Sequence, residues 1–478
     1  MAKSYEELLG AVGRAKQFRR QRHDAAVLFA NEPPSLHFDD DVYELKNISG
    51  SGSGASARII NPDDATVGID RIGVLRLVQR GEEIFRAKAR CARKDVLQGR
   101  VFAGFALEQE QFDLEDLRRR NARAVAKSPA PTAPWAGVTE EYRAHCANVA
   151  AFVGAHCARI DRVFAPIEKS YSSAERRAIF ADLMTAVEPA WRALLLRGND
   201  FALEVSGDKR RVAAMKAYTE AAVTPALVGG ASWNRCYVKP MGYPGDYKIM
   251  NYMYDVLPEG ATIRENFLHG LGLIAGRPIN TRMLKLSGMI VDHFANSPMT
   301  RERRIASIGC GPARELEHIA AGMDPHARVV ATLIDQETEA LEYAADRARR
   351  AARGASLEIR AYNTTFKDMF NPSGIGALAD QDVIYSLGLV DYFSPLLATR
   401  FVARAYDLVR PGGKVIIGNA GDSRNGTIWT MEHILDWTLF FRSREEMAAL
   451  ARETPGARVT VEADPLDSIY FLVVEKPH

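Results

Sequence analysis

The segment Ile305-Ala-Ser-Ile-Gly309-Cys-Gly311-Pro-Ala-Arg-Glu315 places two glycines at the end of a short apolar run. Glycine there lets the backbone turn sharply and approach a ligand closely, because no Cβ intervenes. Glycine turns between strand and helix are also common as plain structure, so the pair alone decides little. Asp335 ends the next apolar run, Val329–Ile334, 24 residues after Gly311. A carboxylate so placed can accept hydrogen bonds from both hydroxyls of a ribose. Position 314 is arginine where a dinucleotide turn would carry its third glycine. That argues against a nicotinamide dinucleotide and for a ligand without a pyrophosphate.

A second chemically dense segment is Tyr237-Val-Lys-Pro-Met-Gly-Tyr-Pro-Gly-Asp-Tyr-Lys-Ile-Met-Asn251. Gly242, Pro244 and Gly245 impose turns, while Tyr243, Asp246, Tyr247 and Asn251 offer polar groups in apolar surroundings. Such a loop could cover a cofactor, shape an acceptor pocket and exclude water; it could equally be a structural turn with buried tyrosines. Tyr243, Asp246 and Tyr247 are taken as catalytic candidates. His433 joins them, and with Trp437 it is read either as acceptor-facing or as a core or surface helix residue. A third group lies near the start: the basic run Phe18-Arg-Arg-Gln-Arg-His-Asp24, and Lys46-Asn-Ile-Ser-Gly-Ser-Gly52. Arginines can pair bidentately with phosphate and stack on guanine, and small polar turn residues let a backbone approach a nucleotide.

The composition bounds what these groups can serve. The chain has 478 residues, enough for two to four domains at roughly 100–200 residues each, with 47% hydrophobic and 26% charged residues. Sixty-two Lys+Arg against 60 Asp+Glu leave a net charge of +2, so no global basic field gathers nucleic acid or anionic lipid. Five scattered cysteines (Cys91, Cys146, Cys157, Cys236, Cys310) lack a C-x-x-C pair, which argues against a disulfide framework or a zinc site and for a reducing compartment. With no secretory h-region and no membrane-spanning apolar run, the expected location is cytoplasmic.

Three regimes must position the candidate residues. Short apolar stretches at Ala25–Ala30, Ile72–Val78, Phe85–Cys91 and Phe102–Leu107 suggest the strands of a small β-barrel, followed by a helix over Asp113–Ala126. A proline-rich spacer covers 127–138. Residues 139–284 read as all-α: Thr139 is a cap, Ser172–Glu175 a capping box, and Val149, Phe152, Val153, Ile160, Val163 and Phe164 form a buried stripe with His156 among them. The segment Trp233–Tyr254 interrupts that regime. From 285 to 478, strands at Ile305–Ile308, Arg328–Ile334, Leu357–Tyr362, Asp382–Leu387, Gly413–Gly418 and Asp467–Val474 alternate with helices at Glu315–Ala321 and Glu337–Arg350. That pattern predicts a mostly parallel α/β sheet, with Val459–Glu462 and Tyr470–Glu475 as an antiparallel edge. The expected domains are therefore 1–126, 127–138, 139–284 and 285–478.

The glycine turn and the acid after the second strand resemble the class I S-adenosylmethionine-dependent methyltransferases, whose Rossmann-like sheet binds that cofactor. The resemblance implies that Gly309 and Gly311 meet the amino-acid half of the cofactor, Asp335 the ribose, and Asn363 or Thr364 the adenine. It also implies that the segment Tyr385–Tyr392, with Ser386 and Leu387, closes over the sulfonium, and Val409-Arg-Pro-Gly-Gly-Lys-Val-Ile-Ile417 matches the family's turn into its fifth strand. Lys-Pro-x-Gly-Tyr-x-Gly-Asp-Tyr at 239–247 is similar to bacterial methyltransferases of extracellular-factor synthesis, whose product is a 3-hydroxypalmitic acid methyl ester. Methyl transfer from a sulfonium is an in-line displacement that alignment accelerates, and a carboxylate acceptor needs no base. The absence of an obvious dyad therefore favours a small-molecule or fatty-acyl carboxylate.

The N-terminal segments resemble the PilZ domain, a β-barrel that binds cyclic di-GMP. Asn47, Ser49 and Gly52 fit its Asx-x-Ser-x-x-Gly turn, and Val101–Leu107 its closing strand. The family arm is Arg-x-x-x-Arg, whereas this chain offers Lys16-x-x-x-Arg20 or Arg19-x-x-x-His23. Binding by Lys16, Arg19 and Arg20 would make cyclic di-GMP a regulatory ligand; a barrel kept for protein contacts is the alternative. An adaptor that binds cyclic di-GMP and a protein methyltransferase are the rival functions, and a protein partner and a homodimer are both left open. No nucleic acid, membrane span or metal is expected.

Overall fold

In the computed structural model, residues 5–10, 13–18, 22–29, 32–49, 54–59, 68–97, 100–127, 137–241, 243–297, 302–321, 328–352, 356–370 and 378–478 are described. The chain divides into two compact units, Met1–Ala133 and Pro134–His478.

The first unit holds β1 (Tyr5–Gly10), β2 (Gly13–Phe18), β3 (Arg22–Asp24), α1 (Ala25–Leu28), β4 (Ser35–Phe38), β5 (Asp41–Ser49), β6 (Gly54–Ile59), β7 (Ile72–Gln79), β8 (Glu82–Leu97), β9 (Arg100–Leu107) and α2 (Leu114–Lys127). β1 and β2 form a hairpin. The antiparallel pairings of the other strands run in a circuit: β4 to β5, β5 to β6, β6 to β9, β9 to β8, β8 to β7, and β7 back to β4. Each of the six pairs with two others of the circuit, and β3 adds to β5 as a further strand. Inside lie Leu36, Phe38, Tyr43, Ile48, Leu75, Leu77 and Phe105. The expected strand at Ala25–Ala30 is instead the short helix α1: Asp24 caps it by accepting the Val27 amide at 3.1 Å. Strands β1 to β6 are additional to the expected ones, although Ser35–Phe38 alternates polar and apolar residues as a half-buried strand does.

The second unit begins with helices α3 (Glu140–Phe164), α4 (Ser173–Val205), α5 (Lys209–Ala222), α6 (Thr224–Leu227), α7 (Ala231–Val238), α8 (Tyr247–Asp255), α9 (Ile263–Ala275) and α10 (Arg277–Ala295). Thr139 caps α3, and Ser172 with Glu175 forms a complete capping box on α4. In the stripe of α3, Val149, Val153 and Ile160 are buried, but Val163 is exposed. Trp233–Tyr254 contains most of α7 and α8, so helix resumes inside the segment expected to interrupt it.

The sheet follows: β10 (Arg303–Ile308), α11 (Glu315–Ala321), β11 (Arg328–Asp335), α12 (Thr338–Ala351), β12 (Ser356–Asn363), β13 (Gln381–Leu387), α13 (Pro395–Leu408), β14 (Val409–Ala420), α14 (Arg444–Ala449), β15 (Arg458–Ala463) and β16 (Ile469–Glu475). Strand order is β12-β11-β10-β13-β14-β16-β15. All pairings from β12 to β14 are parallel, and β16 runs antiparallel to both its neighbours. Central strands are buried along almost their whole length, as helices on both faces require.

Where separate helical and α/β domains are expected, one unit contains both. The helical core takes in Ile428, Trp429, Ile434, Leu435 and Trp437 from the stretch after β14. Three buried tryptophans there satisfy their ring N–H groups: Trp191 on Leu271 O, Trp233 on Leu268 O and Trp429 on the Tyr142 hydroxyl, at 2.8–3.0 Å. All five cysteines are buried free thiols. No helix among the described residues is long and apolar enough to cross a membrane.

Candidate functional site

Chain order reverses at β10, which pairs with β11 on one side and β13 on the other. In open α/β sheets such a switch point, outside the carboxyl ends of the strands, is where ligands bind. The glycine turn sits at that point. Gly309 has φ +65 and Gly311 φ +52, conformations that favour glycine. The amides of Gly309 and Cys310 both donate to the Ile334 carbonyl, at 2.9 and 3.0 Å, which ties the turn to β11.

Asp335 locks the turn from the other side. One carboxylate oxygen accepts the Gly311 amide at 2.8 Å, the other the Glu337 amide at 2.9 Å. Burial nevertheless raises its pKa. The Asn363 side-chain amide donates to the carbonyls of Asp335 and Gln336, and the Thr364 amide also donates to Asp335 O. Gly309, Gly311, Asp335, Asn363 and Thr364 are therefore joined at one edge of the sheet. A Cβ added to Gly311 would meet no atom within 4 Å, so the turn opens onto space. Ser386 is fully buried and donates to the Ile308 carbonyl at 2.8 Å, stitching β13 to β10. Leu387 packs beneath Gly418. After it, Gly388 has φ +80, and Leu389 lies where a Cβ on Gly309 would come within 3.1 Å.

The tyrosine-glycine segment reaches this edge. Tyr243 is influenced by the charges of Glu337 and Asp335, and burial together with those carboxylates pushes its phenol well up. It stays protonated at neutral pH. Tyr247 donates to Glu339, the second residue of α12, at 2.8 Å, and burial and that bond raise its phenol to about 12. Asp246 is buried: its Oδ1 caps α8 through the amides of Lys248 and Ile249, both at 3.0 Å, and accepts from Arg235 Nε at 2.9 Å, while Oδ2 has only the Arg235 charge at 2.8 Å and no hydrogen bond. Those bonds give it a structural job. Gly245 lets the loop close down: a Cβ there would sit 2.8 Å from the Trp437 ring and 3.1 Å from the Tyr392 hydroxyl. Trp437 donates to that hydroxyl at 2.8 Å.

His433 belongs elsewhere. It lies in a π-helical turn at Trp429–Ile434, 2% exposed, with Nδ1 3.4 Å from the Tyr142 hydroxyl. Burial lowers its pKa to about 3. Its hydrogen-bond neighbourhood is the helical core of Tyr142, Thr219 and Trp429.

In the first unit, β3 pairs with the end of β5: Arg22 opposite Ser49, His23 opposite Ile48 and Asp24 opposite Asn47. Lys16 lies on β2 opposite Glu7. Arg19, Arg20 and Gly52 lie outside the described residues. Sequence reasoning missed Glu337 and Arg282 at the sheet edge, whereas Gly388, Leu389 and Tyr392 belong to the segment expected to close over the sulfonium. The positive-φ Gly388 stood within the Tyr385–Tyr392 segment already singled out; Arg282 had no local signal.

No family model and no curated protein matches the chain. Similar solved structures include a possible exported protein from Bordetella parapertussis, 16% identical, covering 61% of this chain and 97% of its own, with a TM-score of 0.37. Magnesium protoporphyrin IX methyltransferase from Synechocystis PCC 6803 is 12% identical, with coverages of 51% and 98% and a TM-score of 0.35. The 1,6-didemethyltoxoflavin-N1-methyltransferase of Burkholderia thailandensis is 18% identical, with coverages of 42% and 83% and a TM-score of 0.31. Likenesses this faint carry no functional argument of their own.

Proposed function

We propose that the protein is an S-adenosylmethionine-dependent methyltransferase acting on a small-molecule carboxylate. One observation carries this reading: a left-handed Gly309–Gly311 turn at the switch point of the sheet, fastened to Asp335 and open on its outer side. The turn would face the amino-acid half of the cofactor. Asp335 would take the ribose, and Asn363 or Thr364 the adenine. The bound sulfonium would supply a methyl group activated for in-line displacement. The chain's own part is to bind, orient and exclude water. Tyr243, held protonated beside the acids of the sheet edge, orients rather than abstracts, and the Tyr392–Trp437 pair with Gly245 closes the pocket. A carboxylate acceptor is already ionised at neutral pH and needs no base.

Titrating S-adenosylmethionine into wild type and Asp335→Ala tests the reading. A loss of about tenfold to a hundredfold in the variant is expected, because charged hydrogen bonds go with the carboxylate. No binding to wild type removes the proposal, and unchanged affinity in the variant removes the ribose assignment. The similarity of 239–247 to extracellular-factor methyltransferases favours a 3-hydroxy fatty acid as acceptor. Labelled methyl recovered in protein rather than in lipid extract would move the reading to a protein methyltransferase.

For the first unit we propose cyclic di-GMP as a regulatory ligand. Its support is the β3–β5 ladder, which sets the end of the basic run beside Asn47 and Ser49. Calorimetric titration of cyclic di-GMP into wild type and Arg20→Ala tests this; no heat in either leaves an interaction module.

A further inference from the structure

The helix leading into the sheet carries a cation that, among the described residues, has no ion-pair partner. Arg282 lies on α10, and both of its terminal nitrogens would be 3.0 Å from a Cβ on Gly388. Gly388 opens the turn after β13, and the next residue, Leu389, packs on Gly309. The guanidinium therefore stands at the same carboxyl edge as the glycine turn. Its Nη2 is 3.7 Å from Met250 Sδ, a weak acceptor, and its Nε is buried with no acceptor at all. Tyr254, whose hydroxyl shares a side-chain hydrogen bond with Arg282, is a neutral phenol raised by burial to about 12, so that bond brings no counter-charge.

Two carboxylates feel the Arg282 charge, Glu315 and Asp391, yet both are occupied elsewhere. Glu315 accepts the Tyr385 hydroxyl at 2.8 Å, and Asp391 the Ala420 amide at 2.7 Å. Among the described residues, no carboxylate forms an ion pair with Arg282. Arg282 is half-buried with its Nε fully withdrawn from water, and such a cation without an ion pair is costly. Guanidinium presents a planar fork of N–H donors whose geometry matches a carboxylate.

We propose that Arg282 is the receptor for a ligand carboxylate at the carboxyl edge of the sheet. The inference rests on the methyltransferase reading, which offers two sources: the α-carboxylate of the cofactor's amino-acid end and the carboxylate of the acceptor. Calorimetry with wild type and Arg282→Gln separates them. S-adenosylhomocysteine carries the α-carboxylate, whereas 5′-methylthioadenosine lacks the whole amino-acid end. If S-adenosylhomocysteine weakens by about tenfold to a hundredfold while methylthioadenosine is unchanged, the carboxylate is the cofactor's. If both nucleosides bind as before and 3-hydroxypalmitate binds the S-adenosylhomocysteine-saturated variant more weakly, it is the acceptor's. Arg282→Lys, which keeps the charge and loses the fork, should fall between wild type and Arg282→Gln.

Equal weakening of both nucleosides, or no change in any ligand, overturns the inference while leaving the methyltransferase reading intact. Wild type that binds neither nucleoside overturns that reading first, and this inference with it.

Discussion

The carboxyl edge of the sheet and the helical core both withdraw titratable groups from water, but groups of opposite kind. At the edge they are acids: burial raises Asp335, Glu315 and Asp391 above the usual carboxylate range. In the helical core they are bases: burial lowers His145 and His269 to about 4 and His433 to about 3. Desolvation acts alike on both, penalising the charged form. The consequence for folding differs in sign. A buried neutral histidine must gain a proton in acid, so the fold loses stability as pH drops below 6.5. A buried acid with raised pKa takes its proton in the folded state first, so the fold recovers stability as pH drops through that raised value. Under the proposed function the edge would hold a sugar and a sulfonium, for which raised acids can serve; a core that must stay packed has no such use for its histidines.

The largest expected effect breaks this comparison directly. The gap from 6.5 to about 4 corresponds to about 3 kcal/mol for each fully protonated histidine, at roughly 1.4 kcal/mol per unit. Urea denaturation followed by tryptophan fluorescence should therefore show stability falling steadily from pH 7 to pH 5. His145, whose Nε2 is buried without a partner, is the cleanest site to remove. His145→Phe should flatten the slope by about one proton's worth, roughly 1.4 kcal/mol per pH unit. Stability that instead rises on acidification would mean the carboxylates dominate and the helical core is not the acid-sensitive part.

Packing supplies the next contrast. Gly198 on α4 is pressed against Trp429: a Cβ there would fall 2.2 Å from the indole. Gly198→Ala forces the ring or the helix to move and should cost about 1–3 kcal/mol of overpacking strain. Affinity for S-adenosylmethionine should change little, because Trp429 belongs to the helical core. A variant with an unshifted melting temperature would show that the helix–indole contact can relax.

How much of this was legible follows from range. The glycine turn, the acid at the end of the next strand and each step of the β/α alternation are local patterns, each readable within a short stretch of chain. The helical network is not: Tyr142 meets Thr219, Trp429 and His433 across separations of 77, 287 and 291 residues. Nothing in Met431–Trp437 tells a reader that His433 faces a tyrosine of α3 rather than an acceptor. The cap at Asp24 was local and present, yet the six apolar residues Ala25–Ala30 after it read as strand, since so short a run has no period to distinguish the two. Arg282 is one arginine on an amphipathic helix; only the chain's return at Gly388 gives it a position.

At the sheet edge the corresponding test is smaller. Gly309→Ala would place a side chain at φ +65 and bring its Cβ to 3.1 Å from Leu389. Left-handed backbone costs a residue with a Cβ roughly 1–2 kcal/mol. Much of that should appear as weakened S-adenosylmethionine binding, because the turn relaxes where the ligand would meet it. Binding kept at wild-type strength, with the same loss of stability, would make the turn structural only.

The smallest effect sharpens the border between the two regions. Tyr247 belongs to α8, on the helical side, and its hydroxyl reaches Glu339 at the start of α12, on the sheet side. Lys248 also approaches Glu339, at 3.8 Å, with half of its side chain in water, an exposed pair that contributes little. The phenol is thus the stronger of these two polar links between the tyrosine-glycine segment and the helix that follows Asp335, where the Tyr247 ring also meets Tyr343. Tyr247→Phe removes one hydrogen bond to a charged acceptor at a solvated position, and a melt should register less than about 1 kcal/mol. Ligand binding should register more than the melt does, with faster dissociation of S-adenosylhomocysteine in stopped flow, because the loop bearing Tyr243 loses its anchor. Unchanged dissociation together with a lowered melting temperature would assign the bond to stability alone and take Tyr247 out of the site.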